Sequence, residues 1–231
     1  FNYAIRAAEL SEGYFDPTIG PLVSAWGFHF KEGMTMTPEI IDSLRQLVGY
    51  KKVKIEEGRV VKENPNMTLD FNAVAQGYTT DMIGEFLLSK GVNNFLVDVG
   101  GEIMAKGNKA NGDLWKVGIE KPAENKDDER IVQEIIELKD RSIVTSGNYR
   151  KYVEQDGKRY SHSLNPMTGY PSENNLLSAT IICDNTAWAD CLASICMLVG
   201  MEKAIEIIDT QDNVEAFFIY EENGEVFTMY N

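Results

Sequence analysis

An aspartate and a serine lie four residues apart in the segment ADCLASICMLVG. If this segment is helical, Asp190 and Ser194 lie on one face, one turn apart. A carboxylate and a hydroxyl are hard oxygen ligands that suit Mg²⁺ or Ca²⁺. The alternative is that Asp190 follows the preference of acids for helix N-termini and that Ser194 is an ordinary surface residue. The pair by itself leaves both interpretations open.

The segment YSHSLNPMTGYP holds His162, one of only two histidines in the chain. Pro166, Gly169 and Pro171 predict a stiff, turning loop. An imidazole held in such a loop is a competent general base, because its ordinary pKa of about 6.5 lies close to neutral pH. The alternative is an exposed loop residue without a role. The other histidine, His29, lies among aromatic residues and is interpreted as a packing or surface residue.

A third candidate segment is LDFNAVAQGY, where a predicted short strand ends at Asp70 and small residues lead into a helix. Backbone N–H groups at a helix start can hold a phosphate, and exposed carbonyls can bind a cation. The segment matches neither the GxxxxGK[ST] nor the GxGxxG pattern. A tight strand-to-helix turn packed with alanines is the alternative interpretation.

Length and composition limit what these residues can belong to. The chain has 231 residues, is 43% hydrophobic and 25% charged, and fits one large domain or two small ones. Its net charge of −14 argues against a nucleic-acid or anionic-membrane partner. A phosphate-bearing ligand would therefore need a metal ion or helix N-termini to hold it. The three cysteines include no CxxC, which argues against a disulfide framework or structural zinc, and no apolar run is long enough to predict a transmembrane helix.

Periodicity and turn residues predict the elements that must position the candidate residues. Thr37 and Pro38 are typical of a helix start, and Glu57-Gly58, Asp156-Gly157 and Asn223-Gly224 of hairpin turns. The segment 14–28 is predicted as a loop around a short apolar turn. The predicted helices are 2–10, 37–49, 74–90, 186–200 and 201–209, and the predicted strands include 68–71, 95–99, 114–122, 131–138, 141–147 and 176–185.

These elements predict an α+β fold, a single compact domain over residues 1–231 with mixed or antiparallel sheets and flanking helices. The chain begins with FNYAIRAAELSEG, in what the pattern predicts to be a helix and without an initiator Met. We therefore expect it to be a fragment from which any targeting segment was removed.

Five segments, taken in order, resemble the ApbE-like flavin transferases, formerly called thiamine-biosynthesis lipoproteins. They extend from about Gly13 to Gly200, and their order makes a chance similarity improbable. The segments are GYFDPTIGPLVSAWGF, LDFNAVAQGYTTD, NNFLVDVGGEI, TSGNYRKYVEQDGKRYSHSLNPMTGYP and ADCLASICMLVG.

The resemblance implies Mg²⁺-dependent transfer of FMN from FAD to a Thr or Ser hydroxyl of an acceptor protein, with release of AMP. It implies that His162 takes the proton of the acceptor hydroxyl. By the same resemblance, the metal ligands are Asp190, Ser194 and the backbone carbonyl of Ala73. The residues implied to line the FAD site are Tyr14, Phe15, Asp16, Asp70, Gln76 and Leu164.

The sequence departs from the family pattern at a few positions. Members often carry Lys where Gln76 stands, Asp where Asn165 stands and Thr where Ser194 stands. Ser194 keeps a hydroxyl, whereas Gln76 removes a possible phosphate contact. Members usually begin earlier, with a lipid-modified cysteine and a segment that helps enclose FAD, so we expect the full protein to be extracytoplasmic and lipid-anchored.

Two alternative functions remain open at this point. One is a Mg²⁺-dependent FAD pyrophosphatase, in which water replaces the acceptor hydroxyl. The other is a non-catalytic flavin-binding protein, against which His162 and Asp190 argue because binding alone needs no base. The acceptor implied by the resemblance is a membrane respiratory subunit or a secreted flavoprotein.

Overall fold

The computed structural model describes the chain except residues 29–32, 123–127, 149–151, 156–157, 162 and 231, and for 152–155 and 158–161 it describes the backbone alone. The helices are α1 (Asn2–Leu10), α2 (Gly20–Trp26), α3 (Pro38–Arg45), α4 (Asn72–Ser89), α5 (Thr186–Val199) and α6 (Met201–Asp209), with a short 3-10 turn at Tyr50–Lys52. The strands are β1 (Val53–Glu56), β2 (Arg59–Lys62), β3 (Phe95–Val99), β4 (Glu102–Lys106), β5 (Trp115–Glu120), β6 (Val132–Leu138), β7 (Ser142–Gly147), β8 (Tyr152–Gln155), β9 (Lys158–Ser161), β10 (Leu176–Cys183), β11 (Glu215–Glu222) and β12 (Glu225–Tyr230).

The chain forms two compact units, each built from two separate stretches of sequence. The first comprises Phe1–Phe71 and Lys151–Glu173, and the second comprises Asn72–Arg150 and Asn174–Asn231. The mixture of helices with antiparallel strands confirms the predicted α+β class. The single domain predicted over residues 1–231 stays a prediction.

The first unit is held together by helices α1 to α3 and a small apolar core. Thr37 begins α3 as predicted, since its hydroxyl accepts from the backbone N–H of Ile40. The buried core consists of Leu22, Trp26, Ile41, Val48 and Leu164. Strands β1 and β2 form the predicted antiparallel hairpin, and β8 and β9 form another. The predicted turn of the latter, Asp156-Gly157, lies outside the described residues.

Two predictions in this unit are wrong. The segment 14–28 contains a helix, α2, because Pro21 is compatible with a helix start and Gly27 ends the helix in the left-handed conformation (φ 86°). No strand forms at 68–71; instead the N–H of Asp70 donates to the carbonyl of Pro17 at 2.7 Å. Proline has no N–H to return, so this contact cannot extend into a ladder.

The second unit is built on a six-stranded sheet in the order β12-β11-β10-β7-β4-β3, in which every neighbouring pair is antiparallel. The β5–β6 hairpin shares an apolar cluster with the sheet that includes Ile103 and Ala105 of β4. Met104, between them, points to the opposite face, where it meets Gly84 of α4. Helix α4 therefore packs on the face of the sheet opposite to the hairpin.

Candidate functional site

Helix α4 bends in its first turn and then runs very close to α5. Ala73 has non-helical dihedral angles (φ −88°, ψ 21°). One turn later, a Cβ placed on Gly77 would lie 2.5 Å from the carbonyl oxygen of Thr186 and 2.9 Å from the Cα of Ala187. Only glycine permits this approach of the two backbones, so Gly77 of LDFNAVAQGY serves helix packing.

Asp190 lies at this helix crossing. Its side chain is buried, with 4% exposed, and its Oδ2 accepts from the N–H of Gly77 at 3.1 Å. The helix dipole favours acids in the first turn of a helix. Helix α5 begins at Thr186, so Asp190 lies beyond that first turn. The dipole therefore does not account for this buried carboxylate.

The contact joins the two helices that carry the predicted metal ligands. In a regular helix the N–H of Gly77 points at the carbonyl of Ala73; here that N–H also lies within hydrogen-bond distance of Asp190. The bend at Ala73 thus lies four residues before the amide that contacts Asp190. Ser194 is half-buried and follows Asp190 by one turn on the same face of α5.

Sequence reasoning missed a buried acid beside this site. Asp81 is 6% exposed, and its two carboxylate oxygens accept from the N–H groups of Thr186 at 2.9 Å and Ala187 at 2.8 Å. It follows Gly77 by four residues and so shares the helix face that meets α5. That spacing, an acid on the small-residue face of α4, was the signal available in the sequence.

Gln76 faces the turn between β3 and β4. Its Nε2 donates to Oε2 of Glu102 at 3.1 Å and to the carbonyl of Val99 at 3.3 Å. The turn it holds contains Gly100 and Gly101, both at positive φ. The hydroxyl of Thr80 adds a bond to the carbonyl of Glu102 at 3.1 Å. Gln76 therefore supports the glycine pair, and its predicted contact with FAD stays a prediction.

The remaining described residues of the predicted FAD site lie in the first unit. Phe15 and Leu164 are buried, whereas Tyr14 and Asp70 are partly exposed. The carboxylate of Asp16 is buried within its own loop region. Its oxygens accept from the N–H and hydroxyl of Thr18, at 2.8 and 2.6 Å, and from the N–H of Tyr50 at 2.7 Å.

Burial raises the pKa of Asp16 above its usual 3.8, against the opposing effect of the hydrogen bonds from Thr18 and Tyr50 and the charge of Lys52. These contacts give Asp16 a structural role in joining the segments around residues 16–18 and 49–50. Its predicted place in the FAD site stays a prediction.

His162 and His29 lie outside the described residues. The loop after His162 is described and forms the predicted turn. Asn165 donates through its N–H to the carbonyl of Tyr170 and accepts from the N–H of Gly169, both at 2.8 Å. Gly169 adopts a positive φ of 78°, and Leu164 forms an isolated bridge with Pro171. The turn is therefore closed by backbone bonds.

The second unit thus combines a buried carboxylate, a bent helix start and a hydroxyl within two packed helices. These are hard oxygen groups of the kind that Mg²⁺ prefers. Among the described residues no three His, Cys, Asp or Glu side chains form a group that could hold a metal ion. A metal at Asp190 would therefore rely on carbonyl, hydroxyl, water or substrate oxygens for its other ligands. No helix in the described part of the chain is long and apolar enough to cross a membrane.

The chain is similar to flavin transferases in sequence and in fold. It is 39% identical over 208 residues to the FAD:protein FMN transferase of Vibrio cholerae serotype O1, covering 89% of this chain and 61% of that protein. It is 34% identical over 229 residues to the FAD:protein FMN transferase of Haemophilus influenzae, covering 96% of this chain and 66% of that protein. The chain thus spans less than two thirds of the length of these relatives.

The fold is also similar to that of a flavin transferase. The solved structure of the flavin transferase ApbE from Vibrio cholerae superposes with a TM-score of 0.87 at 34% identity, over 99% of this chain and 72% of that one. A sequence profile of the ApbE family matches residues 1–218. The resemblance seen in the five segments is confirmed, and the chain belongs to the ApbE family.

Proposed function

We propose that this chain transfers FMN from FAD to a Ser or Thr hydroxyl of an acceptor protein, in a Mg²⁺-dependent reaction that releases AMP. Two relatives of the chain are named FAD:protein FMN transferase. The observation that carries the proposal in this chain is the buried carboxylate of Asp190, hydrogen-bonded to the amide of Gly77. A buried acid that packs against a second, bent helix is suited to binding a cation next to a pyrophosphate.

The proposed metal ligands are the carboxylate of Asp190, the hydroxyl of Ser194 and the carbonyl of Ala73. When bound there, Mg²⁺ would offset the negative charge of the FAD pyrophosphate. This matters in a chain whose net charge is −14, because the protein as a whole repels a phosphate-bearing substrate. The packing of α4 on α5 buries the Asp190 side chain and gives it a hydrogen bond from the amide of Gly77.

In the proposed reaction, the acceptor hydroxyl oxygen bonds to the phosphorus of the FMN half of FAD. The bond from this phosphorus to the bridging oxygen breaks, and AMP leaves with that oxygen. His162 takes the hydroxyl proton. The closed turn after His162, held by Asn165 and Gly169, would limit the movement of the segment that carries the imidazole.

The acceptor and the location are proposals that rest on the family resemblance. We propose that the acceptor is a membrane respiratory subunit or a secreted flavoprotein, and that the full-length protein is extracytoplasmic and lipid-anchored. FAD is then a substrate, and Mg²⁺ is the metal cofactor. Neither nucleic acid nor an anionic lipid surface is proposed as a partner, because the chain is strongly acidic.

Intact mass spectrometry tests the proposed transfer. The full-length protein is incubated with FAD, Mg²⁺ and the soluble domain of a respiratory flavoprotein subunit, with a variant acceptor in which the target Thr is Val as the control. The proposal expects one FMN added to the wild-type acceptor and none to the control. Free FMN and AMP without an adduct would instead support the pyrophosphatase, and FAD bound but unchanged would support the flavin-binding protein.

A further inference from the structure

Asp81 connects the two helices that carry the proposed metal ligands. It belongs to α4, and its carboxylate accepts from the first two backbone N–H groups of α5, those of Thr186 and Ala187. We propose that Asp81 is a positioning residue, which fixes α5 against α4 and thereby sets the carboxylate of Asp190 against the amide of Gly77. Its effect on activity rests on the proposed function, whereas its effect on the helix pair does not.

Asp81 differs from the usual helix cap because it caps α5 from another helix. Helix α5 already has a local cap, because Oδ1 of Asn185 accepts from the N–H of Trp188 at 2.8 Å. The N–H groups of Thr186 and Ala187 remain, and both residues are fully buried. Buried N–H groups need a protein partner where water is excluded. Asp81 supplies that partner from another helix, so capping α5 also fixes its distance from α4.

The two hydrogen bonds from Thr186 and Ala187 to Asp81 are called the clamp below. The spacing of the contacts connects this clamp to the predicted metal site. On α4, Asp81 follows Gly77 by one turn, and on α5, Asp190 follows Ala187 by about one turn. The Asp81–Ala187 contact and the Gly77–Asp190 contact therefore lie on adjacent turns of the same pair of helices, at 2.8 and 3.1 Å. Between them, Gly77 lies against the backbone of Thr186 and Ala187. A movement of α5 away from α4 therefore lengthens both contacts.

The charge of Asp81 is part of the clamp. A carboxylate can accept from two N–H groups at once, and the N-terminus of a helix favours negative charge. An Asn at this position keeps the shape but presents one NH₂ group toward a backbone N–H, so it loses one of the two bonds. Asp81→Asn is therefore the informative variant, and Asn185→Ala is its matched control, since it removes a cap from the same helix end without touching α4.

Amide hydrogen exchange followed by NMR measures the effect on the helix pair directly. We expect Asp81→Asn to speed exchange of the Gly77 amide by about tenfold or more, because its bond to Asp190 opens with the clamp. Asn185→Ala should leave the Gly77 amide close to the wild-type rate. Equal rates at Gly77 in wild type and Asp81→Asn, or equal acceleration by both variants, would overturn the proposal.

The wild-type protein offers a second measurement that needs no substitution. If Asp81 couples the two contacts, the amides of Gly77, Thr186 and Ala187 should open together, with the same exchange protection. Gly77 exchanging much faster than Thr186 and Ala187 would show that the contacts are independent and would overturn the proposal. This measurement decides the matter even if Asp81→Asn fails to fold.

AMP release from FAD, measured over a Mg²⁺ titration, tests the consequence for the site. We expect Asp81→Asn to raise the Mg²⁺ concentration for half-maximal rate by about tenfold or more, with a smaller fall in the rate at saturating Mg²⁺. Asn185→Ala should keep the wild-type Mg²⁺ dependence; a matching shift in that control would mean that Asp81 acts as a cap alone. An inactive wild type would contradict the proposed function but not the clamp, which the exchange rates decide separately.

Discussion

The amide nitrogen of Gly77 and Oδ2 of Asp190 lie 3.1 Å apart, although 113 residues separate them in the chain. This hydrogen bond joins the second turn of α4 to the second turn of α5, and the proposed metal ligands lie on these two helices. It forms only because a glycine lets the two backbones approach. The packing of the helices and the placement of the Asp190 carboxylate are therefore one structural feature.

Replacing this glycine should separate the helices. In Gly77→Ala the new Cβ would lie 2.5 Å from the carbonyl oxygen of Thr186, which belongs to the backbone and cannot rotate away. We expect unfolding free energy to fall by about 1–3 kcal/mol, despite the better helix propensity of alanine. Urea denaturation measures this change.

Gly84→Ala is the matched control for that variant. It lies on the same helix and gains the same propensity, but its Cβ would meet the side-chain end of Met104, which can move. We expect Gly84→Ala to be more stable than Gly77→Ala by about 1 kcal/mol or more. Equal stability of the two variants would contradict the close approach at Gly77.

Replacing Gln76 by a cationic residue should destabilise the protein less than removing its hydrogen-bond donors. In Gln76→Lys the ammonium can donate to both Glu102 and the carbonyl of Val99, whereas Gln76→Met keeps the length but removes both bonds. We expect Gln76→Lys to stay within about 0.5 kcal/mol of wild type and Gln76→Met to lose about 1–2 kcal/mol. FAD titration should show unchanged or tighter binding for Gln76→Lys; weaker binding would place the added charge away from the phosphates.

The raised pKa of Asp16 predicts a specific dependence of stability on pH. Burial raises its pKa in the folded state above 3.8, so the folded protein holds this proton at a pH where the unfolded chain has released it. Protonation of Asp16 therefore adds stability as pH falls from above the folded pKa to below 3.8. Asp16→Asn lacks this gain.

Urea denaturation of wild type and Asp16→Asn over that pH range isolates the contribution of this side chain, because the other acids are common to both proteins. The stability of wild type relative to the variant should increase as pH falls. A difference that is constant with pH, or that shrinks toward acid pH, would show that burial does not dominate the environment of Asp16.

His162→Asn tests the proposed general base. We expect FMN transfer to slow by about 10²–10⁴, which is the usual contribution of general base catalysis, while FAD affinity and thermal stability remain near wild type. The rise of the rate near the histidine pKa should disappear in the variant. His29→Asn should keep the wild-type rate. If FAD affinity falls as much as the rate, His162 positions the substrate and Asp70 becomes the first candidate for the base.

Local signals in the sequence predicted most elements of the fold correctly. The cap at Thr37 and the Asn223-Gly224 turn depend on the chemistry of adjacent residues, and both are present. The expected strand at 68–71 failed because its partner, Pro17, is distant in sequence and lacks an N–H. Residue pattern alone does not show which segment a strand will meet.

In the candidate site too, residue pattern predicted features within one helix but not contacts between distant segments. The spacing of Asp190 and Ser194 predicted a shared helix face, since that is a property of one helix. The role of Asp81 depends on α5, whose first residue lies 105 positions away. Asp16 illustrates the reverse case, in which a residue implied to contact FAD is engaged by Thr18 and Tyr50. Contacts between distant segments need the folded structure.

The proposed function requires that Asp190 hold Mg²⁺ for FMN transfer. AMP release and acceptor flavinylation, measured together over a Mg²⁺ titration for wild type, Asp190→Asn and Ser194→Thr, test this role of Asp190. Asp190→Asn keeps an oxygen that accepts from Gly77 but removes the charge, so we expect a folded protein in which both products fall to background. Ser194→Thr keeps the hydroxyl and should retain wild-type Mg²⁺ dependence. An Asp190→Asn protein with wild-type turnover across the titration would show that Asp190 does not hold the metal ion.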